Sequence, residues 1–175
     1  MFATHQSTRI LSPARPWFIV LSILLGVLLN MLPTRQWPLM PDCALLILAF
    51  WSVREPRRVG QGSAFALGLV MDVADGAAFG QHALAYVLTG YGATQLSRRM
   101  LWFSLWQQAL HMLPLFCFST GIQMLVRMLA TSGGNSPGWM QFLPPLVSTV
   151  LWAPVSFLLL APQYQPETRD DNRPI

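Results

Sequence analysis

The chain contains no lysine, and charge of either sign is scarce: 10% of its 175 residues are charged, against roughly 25% in an ordinary soluble domain. A fold so short of charge has too little with which to cover a water-facing surface, so a free globular domain is excluded. Cysteine is scarce as well. Cys43 and Cys117 lie far apart inside apolar runs, which excludes a disulfide framework and a local metal-binding cluster and leaves both as small buried hydrophobes. All eleven basic residues are arginine, set in small groups beside apolar runs. A net charge of +4 and a pI near 9.8 therefore do not form the basic stripe that a nucleic-acid-binding element needs.

What the chain has in quantity is apolar. Hydrophobic residues make up 53%, with seven Trp, nine Met and a mean hydropathy of +0.44. Bilayer is the solvent that suits this composition. Crossing a ~30 Å hydrocarbon core takes ~20 apolar residues in a helix, and six runs qualify as spans of one all-α, polytopic domain over residues 1–161. They cover 17–32, 39–53, 59–74, 77–96, 101–129 and 142–161. The second and third are short. The fifth is too long, at about 43 Å for 29 residues at ~1.5 Å each, and Pro114 inside it predicts a kink. Trp102–Ala109 is then expected to lie along the interface ahead of the crossing proper. Residues 162–175 are polar and Pro-bearing, a composition that predicts a disordered tail.

The arginines orient the spans. If six helices alternate, Arg9, Arg15, Arg54, Arg57, Arg58, Arg98, Arg99, Arg169 and Arg173 share one side, and only Arg35 and Arg127 fall on the other. That bias places both termini in the cytoplasm. Trp17, Trp37, Trp51, Trp102 and Trp139 stand at span ends, as an aromatic belt requires. The first run follows Arg9 and Arg15 as a signal peptide would, but NMLPTRQW lacks a small-x-small cleavage pattern, so a retained helix is expected.

Against this background the segment LVMDVADGAAFG (69–80) stands out, because it sets Asp72 and Asp75 at the outer end of the third span. A carboxylate on a membrane helix costs up to ~2.5–3.5 kcal/mol at mid-bilayer. Ala64, Gly68 and Asp72 fall within ~80° of one helix face at ~100° per residue. Gly60 continues that face as a close-packing stripe on which two backbones can approach in lipid. Asp72 is thus expected to point into the bundle. Asp75, followed by Gly76, suits a chain turn and the N-cap of the fourth helix. Asp42, after Pro41, suits the N-cap of the second. Arg35 and His82 lie at the same level. The expectation is a polar knot of Arg35, Asp42, Asp72, Asp75 and His82 that pins the outer ends of helices two to four.

No catalytic, cofactor or metal site is expected. DVADG is not the GxGD of intramembrane aspartyl proteases, His82 has no neighbouring ligand, and no Ser/His/Asp set, phosphate-cradling loop or dinucleotide fingerprint occurs. Intramembrane acids also mark ion pathways, which keeps proton-coupled transport as an open reading of the aspartates. In the fifth span, Gln107 with His111 and Gln123 with Arg127 are spaced four apart, suited to interhelical hydrogen bonds, with Arg127 snorkelling to headgroups. The REPRR loop at 54–58 is suited to contact with anionic lipid.

Several segments together resemble the Gram-negative type of the rod shape-determining protein MreD family. They are PD (41–42), FW (50–51), EPRRVG (55–60), AFALGLVMDVADGAAFGQHALAY (64–86), RRMLWFSLWQQALHMLP (98–114) and the closing RPI. The resemblance implies a non-enzymatic inner-membrane scaffold of the cell-elongation machinery that makes peptidoglycan. It implies as partners an MreC-like bitopic protein, an MreB-like actin homologue, and a RodA-like glycosyltransferase with its penicillin-binding transpeptidase. It also implies a bundle similar to the substrate-binding S components of vitamin transporters. A vitamin-binding or small-molecule transporter subunit is the competing expectation.

Overall fold

The computed structural model describes residues 14–32, 39–130 and 139–163, and among these all regular structure is helical. Six α-helices follow one another: α1 (Pro16–Asn30), α2 (Cys43–Arg54), α3 (Gln61–Asp75), α4 (Gln81–Met100), α5 (Leu105–Ala130) and α6 (Leu143–Leu160). Short 3-10 turns flank α6 at Trp139–Phe142 and Ala161–Gln163. Arg35, Trp37, Arg9, Arg169, Arg173 and most of the expected tail lie outside the described residues.

Local chemistry sets the helix limits. Pro16 opens α1, where its missing N–H costs nothing. The Asp42 side chain accepts from the Leu45 N–H at 2.9 Å and so caps α2. Gly76, at φ +59°, turns the chain out of α3, while the Ala77 N–H returns to the Asp72 carbonyl at 3.0 Å. The α3–α4 connection needs a second left-handed residue, and Gly80 supplies it at φ +92°.

Two helical stretches are long and apolar enough to cross a membrane, Leu105–Ala130 and Met140–Gln163. Shorter apolar helices stand at Pro16–Asn30 and Cys43–Arg54. The 12 residues of α2 reach only about 18 Å at ~1.5 Å per residue. The helix is sheathed by protein: every residue from Ala44 to Val53 is buried.

The helices pack in a chain of neighbours. α2 contacts α1, α4 and α6; α4 contacts α2, α3 and α5; and α5 closes on α6. The core between them is aromatic, with Trp51 and Trp152 almost wholly buried and Phe50 set 6.2 Å from the Trp152 ring. α1 and α3 are the outlying members. α1 leans mainly on α2 and α3 mainly on α4.

Three expectations are corrected here. Trp102–Ala109 is no separate interfacial segment: Trp102 and Phe103 sit in a turn, and from Leu105 the helix runs without a break through Pro114. A proline removes one backbone donor, which a long packed helix survives. Trp51 is no belt residue either, since it is buried and donates its indole N–H to Ser22 Oγ at 2.8 Å. Trp17 and Trp102 are exposed, as is Trp106. The two cysteines are half-buried rather than buried.

Candidate functional site

α1, α3 and α5 finish at the same end of the bundle at which α2, α4 and α6 begin, and the polar residues gather there. α3 can bring a carboxylate to α4 because of how the two helices meet. A Cβ built on Gly68 would lie 2.3 Å from Ala83 Cα and 2.6 Å from its backbone nitrogen, so only glycine permits this approach. One turn earlier, Ala64 is 1% exposed and packs opposite Gly90. One turn later on the same face comes Asp72, carried directly over the first turn of α4. Gly60 does not share in this packing. It precedes α3 as an exposed N-cap, and a Cβ there would meet nothing within 4 Å. The stripe therefore begins at Ala64, because α4 has not yet come alongside at the mouth of the helix.

Asp72 is 1% exposed and accepts three hydrogen bonds. They come from the Gly80 N–H (2.8 Å), the His82 N–H (2.7 Å) and His82 Nδ1 (2.9 Å). Two of these donors are orphan amides of the α4 N-terminus, so the carboxylate caps a helix from eight to ten residues upstream. Asp75 does not cap α4 as expected; it closes α3 and faces His82 Nε2 at 3.3 Å. Each ring nitrogen of His82 thus confronts a carboxylate oxygen.

A second carboxylate centre lies alongside. Tyr86, one turn after His82 on α4, donates to Asp42 at 2.8 and 2.7 Å from its two oxygens. Asn30, at the end of α1, donates to Asp42 Oδ1 at 2.7 Å and accepts from the Cys43 N–H at 2.8 Å. The His82 and Tyr86 rings meet edge-on at 6.0 Å. Of the five residues expected in the knot, four are brought into two adjoining clusters, and Arg35 lies outside the described residues. Asn30, Tyr86 and the Gly80 amide complete the clusters.

The polar residues in the first turns of α5 act locally rather than between helices, whereas Gln123 and Arg127 bond neither to each other nor to another helix among the described residues. Gln107 accepts from the Ser104 N–H, His111 Nδ1 meets the Gln107 carbonyl at 2.8 Å, and Gln108 donates to the Phe103 carbonyl. His111 also stacks on Phe103 at 5.0 Å. These contacts cap the first turns of α5. Among the described residues, no group of His, Cys, Asp or Glu side chains is disposed to hold a metal ion. Within the bundle the carboxylate–histidine cluster ties the end of α3 to the first turn of α4.

No solved structure matches the chain. The family model for the rod shape-determining protein MreD matches residues 13–161. A protein of Haemophilus influenzae described as rod shape-determining protein MreD is 31% identical over 150 residues, covering 82% of this chain and 89% of its own. The matched region spans all six helices and both carboxylate centres, and the chain belongs to the rod shape-determining MreD family of membrane proteins.

Proposed function

We propose that the chain is a non-enzymatic scaffold of the cell-elongation machinery in the bacterial inner membrane, crossing it six times with both termini in the cytoplasm. Its work is to seat the membrane helices of partners. An MreC-like bitopic protein and a RodA-like glycosyltransferase with its penicillin-binding transpeptidase suit the membrane faces, and an MreB-like actin homologue suits the arginine-rich inner loops. This rests on family membership and on the sidedness of the arginines.

The observation that carries the docking role is the poor cover of the outlying helices. α1 exposes Trp17, Val20, Leu21, Leu24, Leu25 and Leu28 by 51–61% each, and α3 exposes Phe65, Val70 and Val73 by 50–68%. Ser22, Asn30 and Asp72 on the same helices are turned inward and paired, to Trp51, Asp42 and α4, while the exposed Gln61 and Ser63 stand in the first turn of α3. Beyond that turn each outlying helix keeps a largely apolar face free to pack on lipid or on another helix, while the polar clusters keep the scaffold rigid.

Photo-crosslinkers at Leu24 and Val70, in cells whose rod shape depends on this chain, test the reading. Capture of membrane partners from at least one face, with rounding of cells on depletion, is the expected result. Crosslinks to lipid alone from both faces, with cell shape unchanged on depletion, would overturn it.

A further inference from the structure

Beside the carboxylate clusters the bundle opens into two cavities, of about 340 and 380 Å³. His82 and Arg127 line both. The first, of about 340 Å³ and bounded by Asp42, Arg127 and Ser148, is of a size that takes a small molecule or a lipid headgroup. Its polar lining divides into groups already spent and groups still available. Asp42 has its oxygens occupied by Asn30, the Leu45 N–H and Tyr86, and both ring nitrogens of His82 face carboxylates. Arg127, Gln123, Gln141 and Ser148 make no hydrogen bond or ion pair among the described residues. Ser148 is only 4% exposed and lines the cavity, so what remains accessible of it faces that space.

The available groups are a guanidinium, two amides and a hydroxyl, a set that recognises an oxyanion; a guanidinium in particular matches phosphate oxygens two at a time. Asn30 and Thr120 also line the cavity but are already paired within the protein, and Met40, Leu45 and Phe116 supply an apolar part of the wall. Around Arg127 the surface is apolar too: Leu125, Met128, Leu129 and Met140 are each more than half exposed. A soluble anion would leave that surroundings unused. From this geometry we infer that the cleft between α2, α5 and α6 binds the phosphate headgroup of an anionic lipid. The phosphate sits on Arg127, Gln123 and Gln141, and the chains lie along the apolar wall. The inference rests on the membrane reading above, and it does not depend on the docking role.

The test is lipid retention, measured by native mass spectrometry on the full chain in nanodiscs. Discs of phosphatidylglycerol are compared with discs of phosphatidylcholine, and inorganic phosphate is titrated as the soluble competitor. Phosphatidylglycerol should be retained selectively. Arg127 is exposed, so Arg127→Gln should fold normally; it should cut retention about tenfold or more, as the loss of a charge-assisted hydrogen bond worth ~1.5–3 kcal/mol implies. Arg127→Lys should keep part of it. Equal retention of both lipids, retention unaffected by Arg127→Gln, or displacement of the lipid by millimolar phosphate would each overturn the site. Failure of the chain to enter discs at all would count against the membrane reading instead.

Discussion

Asp72→Leu is the substitution that most directly tests how the bundle is held. In the native chain the carboxylate is 1% exposed and serves the Gly80 and His82 amides and His82 Nδ1. Leucine has the same branched set of four side-chain heavy atoms but is bulkier, so the change removes the acceptor and leaves no cavity. Each orphaned buried donor costs about 1–3 kcal/mol. Gly80 lies in the connection and is only half-buried, so its amide can turn to water, and His82 carries most of the loss. Breaking such a buried centre costs about 3–5 kcal/mol, a large part of the ~5–15 kcal/mol that holds a domain together. At roughly 2–4 °C per kcal/mol for a chain of this size, the melting midpoint in detergent should fall by about 6–20 °C. The His82 amide should exchange its hydrogen far faster, whereas Asp72→Asn, which keeps one acceptor, should lose less than half as much. A leucine variant that melts, exchanges and accumulates in membranes like the native chain would refute the reasoning.

Gly68→Ala puts a methyl within 2.3 Å of the Ala83 backbone; it should force α3 off α4 and destabilise by at least the ~1–3 kcal/mol of ordinary overpacking, read by thermal melting. Gly60→Ala meets nothing within 4 Å, and should change the same midpoint by no more than the ~1 kcal/mol of a weaker cap. Tyr86→Phe removes the donor to both Asp42 oxygens, and Asn30→Ala removes a second. Each should cost about 1–3 kcal/mol. In a double-mutant cycle the pair should couple by at least ~0.5 kcal/mol because they share one acceptor. Ser22→Ala, which leaves the Trp51 indole in place and removes the acceptor of its N–H, should lower stability by about 1–3 kcal/mol; no change would mean that bond contributes nothing.

The all-helical class and the inward course of Asp72 were legible because both follow from composition and from spacing along a single helix. Ala64, Gly68 and Asp72 share a face whatever that face meets. What the face meets depends on the angle of the neighbouring helix, and Gly60 lies off the contact although it continues the same spacing. The capping of α4 was misread for a related reason. Asp75 beside Gly76 has the local signature of a cap, but the side chain that reaches the amides belongs to Asp72, one turn back and across the connection. Asn30 left a signal that reasoning about span ends passed over: it is the one amide in the apolar run of α1, and burying it there needs a partner. Tyr86, four residues after His82, left a similar one. Trp51 stands at a span end by position and in the core by packing, and only the acceptor on α1 distinguishes the two.

The bonds from Asp72 to Gly80 and His82 span no more than ten residues of chain. A helical hairpin can therefore close them while it is still leaving the biosynthetic machinery, before α5 or α6 exists. α3 carries two acids in 15 residues and would be a poor candidate to enter lipid alone. Paired with the first turn of α4, it has its Asp72 carboxylate already satisfied by hydrogen bonds, and Phe65, Val70 and Val73 stay on its outer surface. On the proposed six-span reading the two helices should enter the bilayer as one object, and a ribosome stalled after residue 75 should leave the third helix outside.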